Sequence, residues 1–401
     1  MPHRVRSHPL TPVQSYRVDF QIECLSREAR QISFSLSAAQ NLLFLTRLLI
    51  IVMQFKAFTI VTMAIVCFSL IGCGSSSEMD SSLDSPETGE IRSIAVQLNW
   101  YPEAEHGGVY QAEVEGIYRD AGLKVDIRPG GRATPVAPEL ELERVQFAFA
   151  NADDVVIYRR QGLDVVAIAA TMQNSPRCIL VQEASAVKTF DDLKGVTLQR
   201  QAGRPFLDFM RSRGVLDGVK EVPYHGSVAS LVADPNIAIQ AYSFAEPLLA
   251  EQQGVPVRRL MVSDLGWNPY ASVLITTGKL IREQPELVRD FVHATCQGWI
   301  SYLSDSATGN SAILAANEHG MTAEALEYGV QEMRPLVTPD SLPLDQVGRM
   351  TVDRWQELVT QMDAISPEDA GKVVASDCFN TSFLPKVSES ESNEVDSAVS
   401  E

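Results

Sequence analysis

From Ile91 onward the apolar positions switch repeatedly between a strand period and a helix period. IRSIAVQL is a nearly unbroken apolar run of strand length. Beyond it Tyr110, Val114, Ile117, Tyr118 and Ala121 recur at helical spacing. Gly122 predicts the end of that helix, and LKVDIRP the next strand. A Gly-Gly loop, a short helix near 136–143, the strand VQFAFA, the helix DDVVIYRRQG and the strand LDVVAIAAT follow. Such βαβ units with continuous apolar strands predict a parallel sheet covered on both faces.

A second series begins near Cys178. ILVQE, VTLQR, KEVPYH, IAIQAYSF and VRRLMVS read as strands, with FDDLKG, AGRPFLDFMRSRG, GSVASLVAD and AEPLLAEQQG as helical segments between them. ASVLITTG returns to an apolar strand. The remainder is helical: PELVRDFVHATCQGWISYL, AILAANEHG, AEALEYGVQEMRP and VGRMTVDRWQELVTQMDAI. No internal repeat of fixed period is present. The expected organisation is two α/β lobes and C-terminal helices. Extended segments near 173–182 and 266–277 cross between the lobes. Lobe 1 is expected over 92–176 and again over 271–385, and lobe 2 over 177–270. Ligands in such folds bind outside the carboxyl ends of strands, often between domains.

Composition refines this picture. The chain has 401 residues, 45% of them apolar, and a net charge of −18. That length suits two domains with extras, and that acidity argues against nucleic acid as a partner. Two low-complexity acidic segments, SSSEMDSSLDSPETGE and SESESNEVDSAVSE, have little to bury and read as a tether over 74–91 and a solvated tail over 386–401.

The segment MQFKAFTIVTMAIVCFSLIGC, residues 53–73, resembles a bacterial lipoprotein signal. The resemblance implies that Cys73 becomes the lipidated first residue of the mature chain, facing the periplasm. At about 0.8 kcal/mol per buried CH₂, several acyl chains make a firm membrane anchor. The alternative is a plain transmembrane helix. The Ser-rich acidic stretch after Cys73 favours the lipoprotein. Residues 1–52 have no evident role, and Met53 can serve as the start. Cys178, Cys296 and Cys378 then remain. Their spacing is no disulfide framework and no zinc site, so they are expected as small buried side chains with at most one pair.

No HExxH, no GxxxxGKS/T and no GxGxxG after the first strand is present, and no metal or cofactor is expected. Polar candidates therefore come from strand ends. Asn99, Trp100 and Tyr101 stand where the first strand stops, with His106 just beyond. Asn151, Asp153 and Asp154 follow the third strand. They serve either as ligand contacts or as helix N-caps. Arg204, with Arg200, brackets a strand-to-helix turn suited to an anion or to solvent. Tyr224, followed by His225, ends another strand. Ser243 and Glu246 straddle the end of IAIQAYSF. Glu246 is either an acceptor for an amino group or an acid favoured by the helix start. Asn268 and Tyr270 fall on the returning crossover, on the hinge side. His293 and His319 read as surface positions.

The stretch LNWYPEAEHGGVYQAEVEGIYRDAGLKVDIRPGG resembles the opening of a periplasmic-binding-protein-like family. That family includes bacterial pyrimidine-precursor-binding proteins and the thiamine pyrimidine synthase of fungi. FDDLKGVTLQ, VPYHGSVASLVAD, SFAEPLLAEQQG and DLGWNPYASVLIT extend the likeness over about 92–305. The resemblance implies a type II periplasmic-binding-protein-like fold, two lobes joined by two crossovers, closing on a small molecule. It also implies delivery to the permease and ATPase of an ABC importer, and a Trp100 that faces a planar pyrimidine. The expected ligand is a thiamine-precursor pyrimidine or similar heterocycle. The rivals are a flavin, a sulfonate or taurine, and a weaker possibility is a sensor role. The synthases hold pyridoxal phosphate on a Lys, with a His four residues on. Here Ala150 and Asp154 occupy those positions, and DLGWNPYAS replaces the cysteine cluster associated with iron. A Schiff base needs an amine, so the enzyme reading is disfavoured.

Overall fold

The computed structural model describes residues 91–339 and 342–386, which lie within one compact unit. The leader, Cys73 and nearly all of the tether and of the acidic tail lie outside the described residues. The first lobe opens with β1 (Arg92–Gln97), α1 (Gly107–Val114), α2 (Ile117–Asp120), β2 (Leu123–Arg128), α3 (Val136–Glu141), β3 (Phe147–Ala150), α4 (Ala152–Arg160) and β4 (Val165–Met172). The second lobe follows: β5 (Arg177–Gln182), β6 (Thr197–Arg200), α5 (Pro205–Ser212), β7 (Lys220–Pro223), α6 (Ala229–Ala233), β8 (Ile237–Tyr242), α7 (Glu246–Glu251) and β9 (Val257–Met261). β10 (Ala271–Thr277) then precedes α8 (Gly278–Glu283), α9 (Pro285–Ser304), α10 (Ala307–Ala316), α11 (Ala323–Val337), α12 (Val352–Ile365) and α13 (Ala375–Cys378).

The expected helix over Tyr110–Ala121 is broken. Gly116 adopts φ +78°, and the chain restarts as α2 before Gly122 at φ +72° ends it. α10 begins earlier than its apolar run suggests, at Ala307, and ends before Glu318. α12 begins later, where the Thr351 hydroxyl caps its first turn.

Two five-stranded sheets result, in the orders β2-β1-β3-β10-β4 and β7-β6-β8-β5-β9. Neither is wholly parallel, which corrects the expectation from the apolar strands. β1 runs parallel to β2 and β3, but β10 is antiparallel to β3 and β4. In the other sheet β6 is parallel to β7 and β8, whereas β5 is antiparallel to β8 and β9. The reversed strands are the two that arrive from the opposite lobe. A strand entering from the cleft meets its neighbours at their carboxyl ends and must run against them. Burial alone could not reveal this, because an antiparallel strand covered on both faces is equally apolar.

The crossovers are stitched together. Asn268 Oδ1 accepts from the Ser175 amide at 2.8 Å, and Asn268 Nδ2 donates to Asn174 Oδ1 at 2.9 Å. The Ser243 amide donates to the Pro176 carbonyl at 2.8 Å. C-terminal helices cover the first sheet. Phe291 of α9 stacks on Phe147 at 4.1 Å and on Tyr118 at 5.3 Å, and Trp355 of α12 stacks on Phe379 at 5.6 Å. The Gly-Gly pair at the start of α1 lets α9 approach closely. A Cβ on Gly108 would strike the Trp299 ring, and one on Gly107 the Tyr302 ring. Cys178, Cys296 and Cys378 are buried and free.

A closed cleft between the lobes

A cavity of about 330 Å³ lies between the lobes. Every segment lining it follows the carboxyl end of a strand or a crossover. Asn99, Trp100, Glu103 and Glu105 follow β1, Gly131, Arg132 and Thr134 follow β2, and Ala150, Asn151 and Asp154 close β3. The second lobe contributes Gln201 and Arg204 after β6, Tyr224 after β7, and Gln240, Tyr242 and Glu246 around the end of β8. Arg177, the first residue of β5, enters from the crossover side.

Seven of the residues picked from strand ends line this cavity: Asn99, Trp100, Asn151, Asp154, Arg204, Tyr224 and Glu246. The other six lie elsewhere. Tyr101 turns away and packs on His319 at 3.9 Å while meeting the Trp100 ring edge-on at 5.1 Å, so it props the first aromatic from behind. His106 is completely buried beneath the cavity floor. Burial pushes its imidazole down to about 3. It is therefore neutral, with Nε2–H donating to Asn99 Oδ1 at 3.0 Å. Asp153 is sealed behind Asp154, one carboxyl oxygen without a partner, and burial raises it to about 6. Ser243 and Asn268 belong to the crossover stitching. Tyr270 is buried under the Arg354 guanidinium, which sits 4.0 Å from its ring. Of the outlying arginine and histidine candidates, Arg200 pairs with Glu221 at 2.7 Å and His225 is exposed.

Asn151 and Asp154 form the helix cap expected of them and also line the cavity. Asp154 Oδ2 accepts the Asn151 amide at 3.2 Å at the start of α4, and both side chains face the cavity. Asp154 Oδ1 also receives Arg204 Nη1 at 2.9 Å, a bond from one lobe to the other. A second interlobe bond joins Asn151 Nδ2 to the Tyr242 hydroxyl at 3.3 Å. Glu246 opens α7. One oxygen accepts the Tyr242 amide at 2.8 Å and the other the Tyr224 hydroxyl at 3.1 Å. Farther out, Arg259 pairs with Glu332, and Gln252 donates to Glu324 at 2.8 Å. The lobes are thus closed on one another.

Glu103, Glu105, Arg177 and Tyr242 are cavity residues that the strand-end reading did not select. The two glutamates stand between Tyr101 and His106, in the segment WYPEAEH that follows β1. Arg177 is the lone charge at the head of an apolar strand, and such a residue directly after a crossover is the signal that could have found it. It is only 7% exposed, and its guanidinium lies 4.6 Å over the Phe206 ring.

A profile described as NMT1/THI5 like matches residues 103–307. The formylaminopyrimidine-binding protein of Halalkalibacterium halodurans is 20% identical over 334 residues, covering 81% of this chain and 99% of that protein. The riboflavin-binding protein RibY of Chloroflexus aurantiacus is 25% identical over 225 residues, 54% of this chain. The match spans less than two thirds of the RibY chain, 64%. The 4-amino-5-hydroxymethyl-2-methylpyrimidine phosphate synthase of Legionella pneumophila is 23% identical over 213 residues, 51% of this chain and 67% of that one. Among solved structures, the periplasmic aliphatic sulphonate binding protein SsuA from Escherichia coli superimposes with a TM-score of 0.58 at 14% identity, covering 76% of this chain and 96% of that one. The two mixed sheets, the paired crossovers and the closed cleft are the fold of the periplasmic binding proteins, and the chain belongs to the NMT1/THI5-like family.

Proposed function

We propose that this protein is the solute-capturing component of an ABC importer, working outside the cytoplasm on a pyrimidine of the thiamine-precursor type. One observation carries the reading: Trp100 from one lobe and Glu246 from the other line a single small cavity. An indole face suits a planar heteroaromatic ring, worth about 0.5–1.5 kcal/mol beyond burial. A carboxylate pre-set by two hydrogen bonds suits an exocyclic amino group. The formylaminopyrimidine binder matched over nearly its whole length supports the same ligand class.

Size and charge separate the rivals. A cavity of about 330 Å³ stands at the small end of ligand sites, which run from about 300 to 1,000 Å³. It suits a single ring better than the three fused rings of a flavin. A sulfonate would have to enter among Glu103, Glu105, Asp154 and Glu246, and Arg204 is already engaged by Asp154. For the enzyme reading, the residue at the end of β3 is Ala150, and no lysine is among the residues lining the cavity. Anchoring through Cys73 belongs to the same proposal and rests on the sequence of residues 53–73.

Calorimetric titration with formylaminopyrimidine, 4-amino-5-hydroxymethyl-2-methylpyrimidine, riboflavin and an alkanesulfonate tests the ligand class. A pyrimidine should bind most tightly. Tighter binding of riboflavin or the sulfonate would overturn the reading. Conversion of the pyrimidine, or uptake of pyridoxal phosphate with its visible absorbance, would restore the enzyme. Cys73→Ala should release the protein from membranes in fractionated cells.

A further inference from the structure

The cavity is short of positive charge at one end. Four carboxyls line it, from Glu103, Glu105, Asp154 and Glu246, and Asp153 lies directly behind. Against them stand Arg132, Arg177 and Arg204. Arg204 is held by Asp154, and Arg132 is exposed on the rim. Arg177 alone faces the remaining acids, and among the described residues its only polar side-chain contact is Nη2 to the Tyr242 hydroxyl at 3.4 Å.

The hydrogen bonding is equally one-sided. Each Glu246 oxygen already accepts one hydrogen bond, from the Tyr242 amide and the Tyr224 hydroxyl, and has one lone pair left for a ligand. Glu105 is only 2% exposed and opens onto the cavity, yet its carboxylate receives no hydrogen bond among the described residues. His106 Nε2 lies 3.5 Å from Glu105 Oε1, but its proton is committed to Asn99. Glu103, in the same wall, is likewise without a donor among the described residues. Glu105 is buried and Glu103 half-buried, and both present their carboxyls to the cavity, so a ligand with N–H donors can complete them. Burial, then repulsion from Glu105 and Glu246, raises Glu103 well above the usual carboxylate range, and a cation brought beside it would favour its ionised form.

We propose that this end of the cleft selects a planar, delocalised cation, an amidinium or a protonated amino-heterocycle, whose N–H groups complete Glu105 and Glu103 while its face lies on Trp100. A cation over indole gains a further attraction that a neutral ring lacks. The inference rests on the reading of this cleft as a solute site, and it adds the charge of the solute and the two residues that read it.

Three probes of one shape and different charge test it: benzamidinium, benzamide and benzoate, titrated into the full-length protein at pH 8. Benzamidinium should bind at least about tenfold more tightly than benzamide, and benzoate should not bind. In Glu105→Gln that preference should shrink by most of its value while benzamide binds as well as before or better, a gain that a folding defect would not produce. Glu103→Gln should shrink it to a lesser degree. Equal affinity for benzamidinium and benzamide, a preference for benzoate, or an unchanged preference in Glu105→Gln would each overturn the proposal. The panel keeps the two readings apart. Benzamidinium binding without any pyrimidine binding leaves the cation site standing and removes the pyrimidine. Pyrimidine binding indifferent to charge does the reverse.

Discussion

Arg204 Nη1 donates to Asp154 Oδ1 across the cleft at 2.9 Å, joining the turn before α5 in one lobe to the first turn of α4 in the other. Asp154 is fixed at the same time by the Asn151 amide, so the arginine meets a carboxylate that cannot swing away. Both side chains are mostly shielded, 26% and 17% exposed, so salt screens the pair incompletely. Any separation of the lobes must break this bond.

Removing the pair should therefore appear in the dissociation rate. Arg204→Ala is expected to release ligand about three- to tenfold faster, with a smaller change in association. Because Arg204 also lines the cavity, a cycle with Asp154→Ala is needed to isolate the interlobe bond. A coupling on the order of 1 kcal/mol is expected from stopped-flow rates. Additive effects of the two substitutions would show that closure does not depend on this bond.

Trp100 is held edge-on by Tyr101, which in turn is backed by His319. The indole is thus pre-set before a ring arrives, and its stacking energy is not spent on ordering it. Trp100→Ala should weaken binding about tenfold or more, equivalent to about 1.4 kcal/mol. Tyr101→Leu, which keeps the bulk and loses the aromatic edge, should weaken it by less. Unchanged affinity of Trp100→Ala on titration would remove the stacking role.

These residues also show what a sequence can and cannot convey here. Strand ends were legible from periodicity, and with them the segments after β1, β3, β6, β7 and β8 that supply most of the cavity wall. What periodicity does not carry is the direction of a side chain within a tight turn. Residues 104–106 form a single 3-10 turn that sends Glu105 to the cavity and His106 into the core. Chemistry alone favours the opposite assignment, since histidine is the commoner site residue. Asp153 and Asp154 diverge for the same reason, successive helical positions being rotated by about 100°. The reversed strands β5 and β10 were hidden because both faces of each are covered, and pairing direction leaves no trace in an apolar run. The alternation of strand-period and helix-period segments did give both sheets, but nothing in periodicity names the packing partner of the α1 glycines.

That partner is α9. A Cβ on Gly298 would fall on the Gly108 carbonyl oxygen and against Ala112 Cβ. Backbone on the far side cannot move aside as a flexible side chain can, so the two helices must separate. Gly298→Ala is expected to lower stability by about 1–3 kcal/mol, the usual range for overpacking, despite the better helix propensity of alanine. A shift of the urea midpoint to lower concentration with unchanged slope checks this. An unchanged or higher midpoint would mean that the interface is looser than the geometry indicates.

Glu105 links the cleft to stability through pH. Burial raises its carboxyl from 4.5 to about 7, with Arg177 opposing and Glu246 adding to the shift. Between those two values the folded protein holds a proton that the unfolded chain has released, so stability falls as pH rises through that window. Glu103, Glu246 and Asp153, all raised, act in the same direction. His106, lowered to about 3, acts in the opposite one, destabilising the fold as pH falls below about 6.5. Glu105→Gln removes one titration and leaves the others, so the difference between variant and parent isolates it. Without ligand, the variant should match the parent near pH 4 and exceed it at pH 8 by on the order of 2 kcal/mol. Thermal melts at the two pH values measure this. A parallel loss of stability at both would show that the carboxyl holds the fold together. A gain confined to high pH would show the reverse: an ionised group kept at the expense of stability, with its compensation in the ligand.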